Sequence, residues 1–170
     1  MQFVRHLITC GLLAATAPAF AQGVYLSTDV GRASVSSKYA DNGNDASLSL
    51  AVGYQYKPNL GFELYTRGLS LNPFRGAFAE AGYYPDSHVG IAAIAGANLT
   101  ESLSLFGRAG VGRTTMKPNR VNIGDKHETD PVLGAGVSYA LNRNWSLNLE
   151  ASYLTKSEVS LVTMGARVQF

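Results

Sequence analysis

The sequence has very few residues that could hold a metal ion or form a disulfide. Its 170 residues include one cysteine and three histidines. The cysteine, Cys10, lies in an amino-terminal segment that we predict to be removed, which leaves no disulfide and no cysteine metal site. The histidines outside that segment are His88 and His127. The sequence therefore predicts no bound cofactor and no metal ion.

Long apolar runs and a strong charge imbalance are also missing. Beyond the amino-terminal segment, no apolar stretch approaches the roughly 18 residues that a transmembrane helix requires. Lysine and arginine number 14 against 12 aspartate and glutamate, so nucleic acid is not indicated as a partner. If the chain resides in a membrane, it must do so as a closed β-barrel, because only helices and closed barrels satisfy every backbone polar group in lipid.

The amino terminus has the pattern of a secretory signal peptide. Arg5 and His6 supply positive charge, and residues 7–17 form an apolar core that is too short to span a bilayer. Ala19-Phe20-Ala21 is a small-residue cleavage site. We expect cleavage after Ala21, which leaves residues 22–170 as one exported domain.

Eight later segments alternate between apolar and polar residues, the period of a β-strand. They are residues 24–34, 47–56, 60–69, 89–97, 103–113, 131–141, 144–153 and 159–170. Each has about ten residues, the length that a tilted strand needs to cross a bilayer. Residues 89–97 are small and apolar on both faces, so their register stays open. The pattern predicts an all-β fold, an eight-stranded antiparallel up-and-down transmembrane barrel.

The connections between these segments alternate in length. Residues 57–59, 98–102 and 142–143 are short turns, whereas residues 35–46, 70–88 and 114–130 are long and polar, and 154–158 form a shorter fourth loop. Short turns on one side and long loops on the other are typical of outer-membrane barrels, with the short turns in the periplasm. The predicted location is the cell outer membrane, with both ends of the barrel domain on the periplasmic side.

The two faces of the segments differ in charge. Five charged residues share the face that carries serine and glycine, namely Glu63, Arg67, Arg108, Glu150 and Arg167. An arginine or lysine that faced lipid at the bilayer midplane would cost about 2–4 kcal/mol. We therefore place this face inside the barrel, where the charges form a polar network of mixed sign, and the apolar face against lipid.

Three segments, LFGRAGVG at 105–112, DPVLGAGVSY at 130–139 and LNLEASY at 147–153, carry a resemblance to a known family. The chain resembles the small outer-membrane β-barrel proteins of Gram-negative bacteria, the group that includes the OmpA transmembrane domain, OmpX and Ail. The resemblance covers residues 22–170 and implies outer-membrane lipid and lipopolysaccharide as surroundings. It does not extend to a peptidoglycan-binding domain, so tethering to the cell wall is not implied.

The last segment matches the assembly signal of this family. The signal comprises a polar residue, a glycine and two hydrophobic residues, the second of them aromatic. Thr163, Gly165, Val168 and Phe170 occupy these positions. The resemblance implies that the outer-membrane assembly machinery reads this strand.

An enzyme is one rival interpretation of the function, because some barrels of eight strands modify lipid A. The histidine–serine motif of lipid A deacylases is absent, and His88 has no serine nucleophile beside it on the same face. His127 adjoins Glu128 and could form a base–acid pair or a metal site with Asp125 and Asp130. A solvated, charged loop tip is the favoured interpretation. We therefore expect no catalysis.

A narrow pore and a surface adhesin are two further functions that a barrel of this size could have. Eight strands leave an interior that side chains fill, which favours a plugged barrel over a conducting one. The aromatic residues of loop 70–88, which include Phe74, Phe78, Tyr83 and Tyr84, could contact a surface partner or belong to a strand that rises above the membrane. The sequence thus predicts an integral outer-membrane protein with a structural or surface-interaction role.

Overall fold

One antiparallel sheet of eight strands closes into a barrel. The computed structural model describes residues 23–35, 44–70, 83–118 and 124–170. The strands are β1 (Val24–Val35), β2 (Asn44–Lys57), β3 (Leu60–Gly68), β4 (Tyr83–Asn98), β5 (Leu103–Pro118), β6 (Lys126–Ala140), β7 (Trp145–Leu154) and β8 (Val159–Gln169). Each strand pairs with its sequence neighbour, and β1 pairs with β8 to close the ring. The predicted fold is confirmed.

The predicted signal peptide, residues 1–21, lies outside the described residues, and so do Phe74 and Phe78. Within the described ranges, no helix has the length and apolar character needed to cross a membrane.

Four strands, β2, β4, β5 and β6, extend further toward the long loops than the sequence predicted. β4 begins at Tyr83, and the pairs Tyr83↔Pro118 and Met116↔Lys126 continue the sheet into the long connections. His127 therefore lies on a strand, and its prediction as a residue of a loop tip was wrong. In these extensions, hydrogen bonds between strands pair the backbone N–H and C=O groups. Residues such as Thr115 favour strands even where apolar and polar residues do not alternate. The open register of residues 89–97 is fixed by the pair Ile91↔Leu64.

Burial follows the alternation, with apolar side chains outside. Leu64, Ile91 and Met164 are exposed on the outer wall, whereas Glu63 and Arg67 are 4% and 3% exposed inside. A barrel built for water would present the opposite pattern, with apolar side chains within. The outer wall is therefore the surface that contacts lipid.

The short-turn end carries a ring of half-exposed aromatic residues. They are Tyr54, Phe62, Tyr139, Trp145 and Phe170. Two backbone hydrogen bonds fix this rim, Leu141 N to Trp145 O at 2.9 Å and Phe170 N to Val24 O at 3.0 Å. Aromatic rings of this kind are typical of the membrane interface of outer-membrane barrels.

The inner face is partly apolar at the end of the barrel with the long loops. The sequence had predicted a polar inner face along the whole barrel. Val132, Leu154, Val159 and Leu161 point inward and are 0–1% exposed. Ala33 and Val35 of β1 belong to the same buried cluster. Above the charged residues, part of the lumen is thus filled by an apolar layer, which lies beside the buried polar residues His88, Thr114 and Asp130.

We predict that Leu64→Arg, in the middle of β3 on the outer wall, lowers the free energy of unfolding by about 2–4 kcal/mol, because the charge must lie in hydrocarbon. Denaturant titration of the barrel in phospholipid vesicles measures this loss. Leu99 is 59% exposed, as Leu64 is, but lies in a turn, so Leu99→Arg is a matched control with little expected effect. Equal losses in the two variants would contradict the lipid-facing assignment.

Candidate functional site

Four of the five predicted interior charges meet at one level of the barrel. Glu63 and Arg67 lie on β3, Arg108 on β5 and Glu150 on β7, all on inward positions. Small residues on neighbouring strands leave room for these long side chains. At Gly134, an added Cβ would lie 2.9 Å from Ser152 Cβ and 3.3 Å from Glu150 Oε1.

Glu150 is the centre of this ion cluster. Its Oε1 accepts a hydrogen bond from Arg67 Nη2 at 2.8 Å, and its Oε2 accepts one from Arg108 Nε at 2.9 Å. Arg108 also pairs with Glu63 through Nη1, which links the two glutamates. Two arginines and two glutamates thus balance their charges in a buried site, the condition under which buried ions are tolerated.

Polar neighbours complete the cluster. Arg67 Nη1 donates to Ser152 Oγ at 2.7 Å, and Tyr25 Oη donates to Glu63 Oε2 at 3.0 Å. The ring of Tyr65 lies beneath the guanidinium groups of Arg67 and Arg108, at 5.2 and 5.5 Å from ring centroid to Cζ. The sequence interpretation missed Tyr25 and Tyr65, although both share the inward phase of their strands.

The fifth predicted residue, Arg167, stays apart from this cluster. It lies nearer the short-turn end, opposite Ser27 on β1 and Ser146 on β7. Its guanidinium carbon sits 4.2 Å from the centroid of the Tyr25 ring. Within the described part of the chain, Arg167 forms neither an ion pair nor a hydrogen bond.

A second chain of buried polar groups lies toward the extracellular end. Tyr65 Oη is 2.9 Å from His88 Nε2, and His88 Nδ1 is 2.8 Å from Thr114 Oγ1. Thr114 Oγ1 donates in turn to Asp130 Oδ2 at 3.2 Å. His88 and Asp130 are both 0% exposed. The sequence assigned His88 to the long loop 70–88, which was wrong: it lies within β4 and shares the inward phase of Gly90 and Ala92.

Asp130 holds the fourth loop from within the barrel. Its Oδ1 accepts the backbone N–H of Lys156 at 2.8 Å, and its Oδ2 accepts that of Ser157 at 3.0 Å. The hydroxyl of Ser157 donates to the same carboxylate. Glu158 follows with φ of 53°, so the loop turns sharply back into β8. This carboxylate replaces the backbone partners that a turn of this shape lacks.

The residues considered for catalysis or metal binding are not brought together. His127 is exposed on the outer face, 3.3 Å from Thr115 Oγ1, while Asp130 points inward three residues later. Glu128 is half-buried on the inward face, opposite Thr114. No three histidine, cysteine, aspartate or glutamate side chains group at a metal-binding distance in the described ranges.

The predicted assembly residues divide between the two faces of β8. Thr163 is buried and inward, and Gly165 faces inward where an added Cβ would collide with Asp29. Val168 and the exposed Phe170 lie on the outer face at the rim. Their role in assembly stays a prediction.

Comparison with known proteins agrees with this architecture. Residues 7–169 match the family model described as outer membrane protein beta-barrel domain. Outer membrane protein A of Serratia marcescens is 31% identical over 123 residues, which cover 68% of this chain and 34% of that protein. The chain thus spans about a third of the length of this relative.

Solved structures show the same fold. The crystal structure of Neisserial surface protein A aligns with a TM-score of 0.66 and 20% identity, over 87% of this chain and 97% of that one. The attachment invasion locus protein Ail of Yersinia pestis, crystallised with the heparin analogue sucrose octasulfate, aligns with a TM-score of 0.53 and 15% identity, over 87% and 97% of the two chains. Together with the closed barrel and its apolar outer wall, these matches show that the chain is an outer-membrane protein that belongs to the outer membrane protein β-barrel family.

Proposed function

We propose that this protein is a non-catalytic, structural component of the outer membrane whose interior is sealed and whose extracellular side is available for surface interactions. The observation that carries the proposal is the filling of the lumen at two levels. The ion cluster around Glu150 fills the middle of the barrel, and the apolar layer around Leu154 and Val159, together with the buried Thr114 and Asp130, fills the lumen toward the long loops.

Two successive seals argue against a pore. An ion that passed the cluster would have to displace Arg67 and Arg108 from Glu150. It would then meet an apolar layer beside His88, Thr114 and Asp130, which are already hydrogen-bonded to one another. Transfer of an unpaired ion into such a layer is very unfavourable. The strand number leads to the same conclusion, since eight strands enclose only enough space for side chains.

The histidines give little support to a lipid A-modifying enzyme. His88 is fully buried, so it has no contact with a substrate from either side of the membrane. His127 is accessible, but its neighbour on the outer face is Thr115 rather than a carboxylate that would orient it as a base. A lipid A-modifying role would require an accessible nucleophile with an oriented base. The Thr114 hydroxyl beside His88 is fully buried, and the described residues form no metal-binding group.

A surface-interaction role is supported by the unequal height of the barrel wall. β5 has 16 residues and its partner β6 has 15, whereas β7 and β8 have 10 and 11. At about 3.4 Å per residue, β5 is longer than β7 by about 20 Å. The excess lies at the extracellular end and carries exposed cations such as Arg113 and Lys126. A raised, charged wall of this kind suits contact with a molecule outside the cell.

The terminal strand is proposed as the signal that the assembly machinery recognises. Phe170 and Val168 face outward at the rim, so both side chains are accessible before the barrel is surrounded by lipid. Thr163 and Gly165 face inward on the same strand, which gives the strand the mixed surface that the family signal requires.

We predict that the refolded protein produces no steady conductance in planar lipid bilayers bathed in concentrated potassium chloride, because both seals remain closed. A general porin reconstituted in the same membranes is the positive control. A sustained open channel of the unmodified chain would overturn the sealed-barrel proposal and favour a narrow pore.

We expect Phe170→Ala to lower the amount of folded protein in the outer membrane several-fold, as measured by heat-modifiable mobility after fractionation. Tyr139→Ala is the matched control, because Tyr139 is 52% exposed at the same rim and Phe170 is 51% exposed. Both variants lose one rim aromatic, so their stabilities after refolding should be similar. If the two variants reach the same level in cells, Phe170 is a lipid-facing residue without a signalling role.

Replacement of residues 71–82 by a glycine–serine linker should abolish attachment of producing cells to cultured epithelial cells while the barrel still folds. Replacement of the periplasmic turn, residues 99–102, by the same linker should leave attachment intact. Undiminished attachment after the first replacement would show that this loop has no part in the proposed surface role. If cells producing the intact chain do not attach, only the structural role is supported.

A further inference from the structure

Arg167 differs from the other two interior arginines in having no anionic partner. Arg67 and Arg108 each bind Glu150, and Arg108 also binds Glu63. Among the described residues, no carboxylate lies within the 4.0 Å of an ion pair with Arg167. Asp29 on the neighbouring strand has the opposite charge and attracts Arg167 electrostatically, but the two side chains do not form an ion pair.

Burial makes this unpaired charge costly. Arg167 faces the lumen, and its Nε is buried without a hydrogen-bond partner. The Tyr25 ring, 4.2 Å from the guanidinium carbon, offers a cation–π contact. Such a contact stabilises a cation by less than full removal of that cation from water costs. The stacking holds the guanidinium in place but supplies no ion pair.

A cavity of about 270 Å³ lies directly beside this group. Residues of two short turns, Pro58 and Asn59 in one and Asn98 at the start of the other, lie at its mouth, so it opens at the periplasmic end. Its wall combines hydroxyl and amide groups with a few apolar side chains. The lining includes Arg167, Gln55, Ser138, Ser146, Gln169 and Phe106. Beyond Phe106 the lumen is closed by the ion cluster, so the cavity is a dead end.

We propose that this periplasmic cavity is a binding site for a small oxyanion, a carboxylate or a phosphate group, that pairs with Arg167. The planar guanidinium group matches the two oxygens of either anion in a fork geometry. The hydroxyl groups of Ser138 and Ser146 and the amide of Gln169 provide further donors at the wall. Because liquid water occupies about 30 Å³ per molecule, the cavity accommodates a small anion together with part of its hydration.

The test is a titration of the full barrel in lipid nanodiscs, followed by amide chemical shifts in NMR spectra. Sodium phosphate and sodium acetate are added in separate arms at constant ionic strength, with sodium chloride as the reference. We expect saturable shifts at Arg167, Ser138 and Ser146 that chloride does not produce. Saturation by phosphate alone identifies a phosphate group as the ligand chemistry, and saturation by acetate alone identifies a carboxylate. Absence of saturable shifts in both arms would overturn the proposal.

Two variants and one control connect binding to the cavity. Arg167→Gln should weaken the dissociation constant at least tenfold, and Arg143→Gln, which removes an exposed turn arginine at the same end, should leave it unchanged. Ser138→Leu keeps Arg167 but fills the cavity, so it should also weaken binding, and it decides the question if Arg167→Gln does not fold. Unchanged affinity in Ser138→Leu, or equal effects of Arg167→Gln and Arg143→Gln, would contradict the assigned site.

Discussion

The structure depends on the mutual compensation of four charges inside a barrel that is too narrow to hydrate them. Glu150 binds Arg67 with one oxygen and Arg108 with the other, and Arg108 continues to Glu63. These residues come from β3, β5 and β7, which are not neighbours in the sheet. The cluster therefore joins walls that backbone hydrogen bonds do not connect. Removal of one member would leave the others buried and unpaired, which is strongly destabilising.

This constraint separates the barrel into zones with different roles. The outer wall meets lipid, and its apolar side chains contribute no chemistry of their own. Three groups of side chains occupy the interior: the ion cluster, the hydrogen-bonded chain from Tyr65 to Asp130, and the apolar layer. The proposed recognition then involves the two ends of the barrel, where long strands extend on one side and a cavity opens on the other. A sealed centre and accessible ends are consistent with a structural protein that also presents surfaces.

Alternation in the sequence was sufficient to predict the strands and the inward position of Glu63 and Arg67, because the period of a strand separates its two faces. It did not predict which charges pair, since Arg108 and Arg167 share the inward phase but only one reaches Glu150. Distances between side chains across the lumen depend on strand register and barrel shear, and neither can be read from the alternation of residues in the sequence. His88 was assigned to a loop because the polar residues around it hide the continuation of β4, in which it shares the inward phase of Gly90 and Ala92. The extracellular parts of β4, β5 and β6 were missed because strands above the membrane need no apolar face.

The role of the ion cluster is tested most directly by the free energy of unfolding of Glu150→Gln, measured in phospholipid vesicles beside Glu158→Gln in the exposed fourth loop. Glutamine keeps the shape of the side chain but leaves Arg67 and Arg108 without their shared carboxylate. We predict a loss of about 3–5 kcal/mol for Glu150→Gln and a change within about 0.5 kcal/mol for Glu158→Gln. Equal, small changes in both variants would show that the ion cluster does not hold the barrel together.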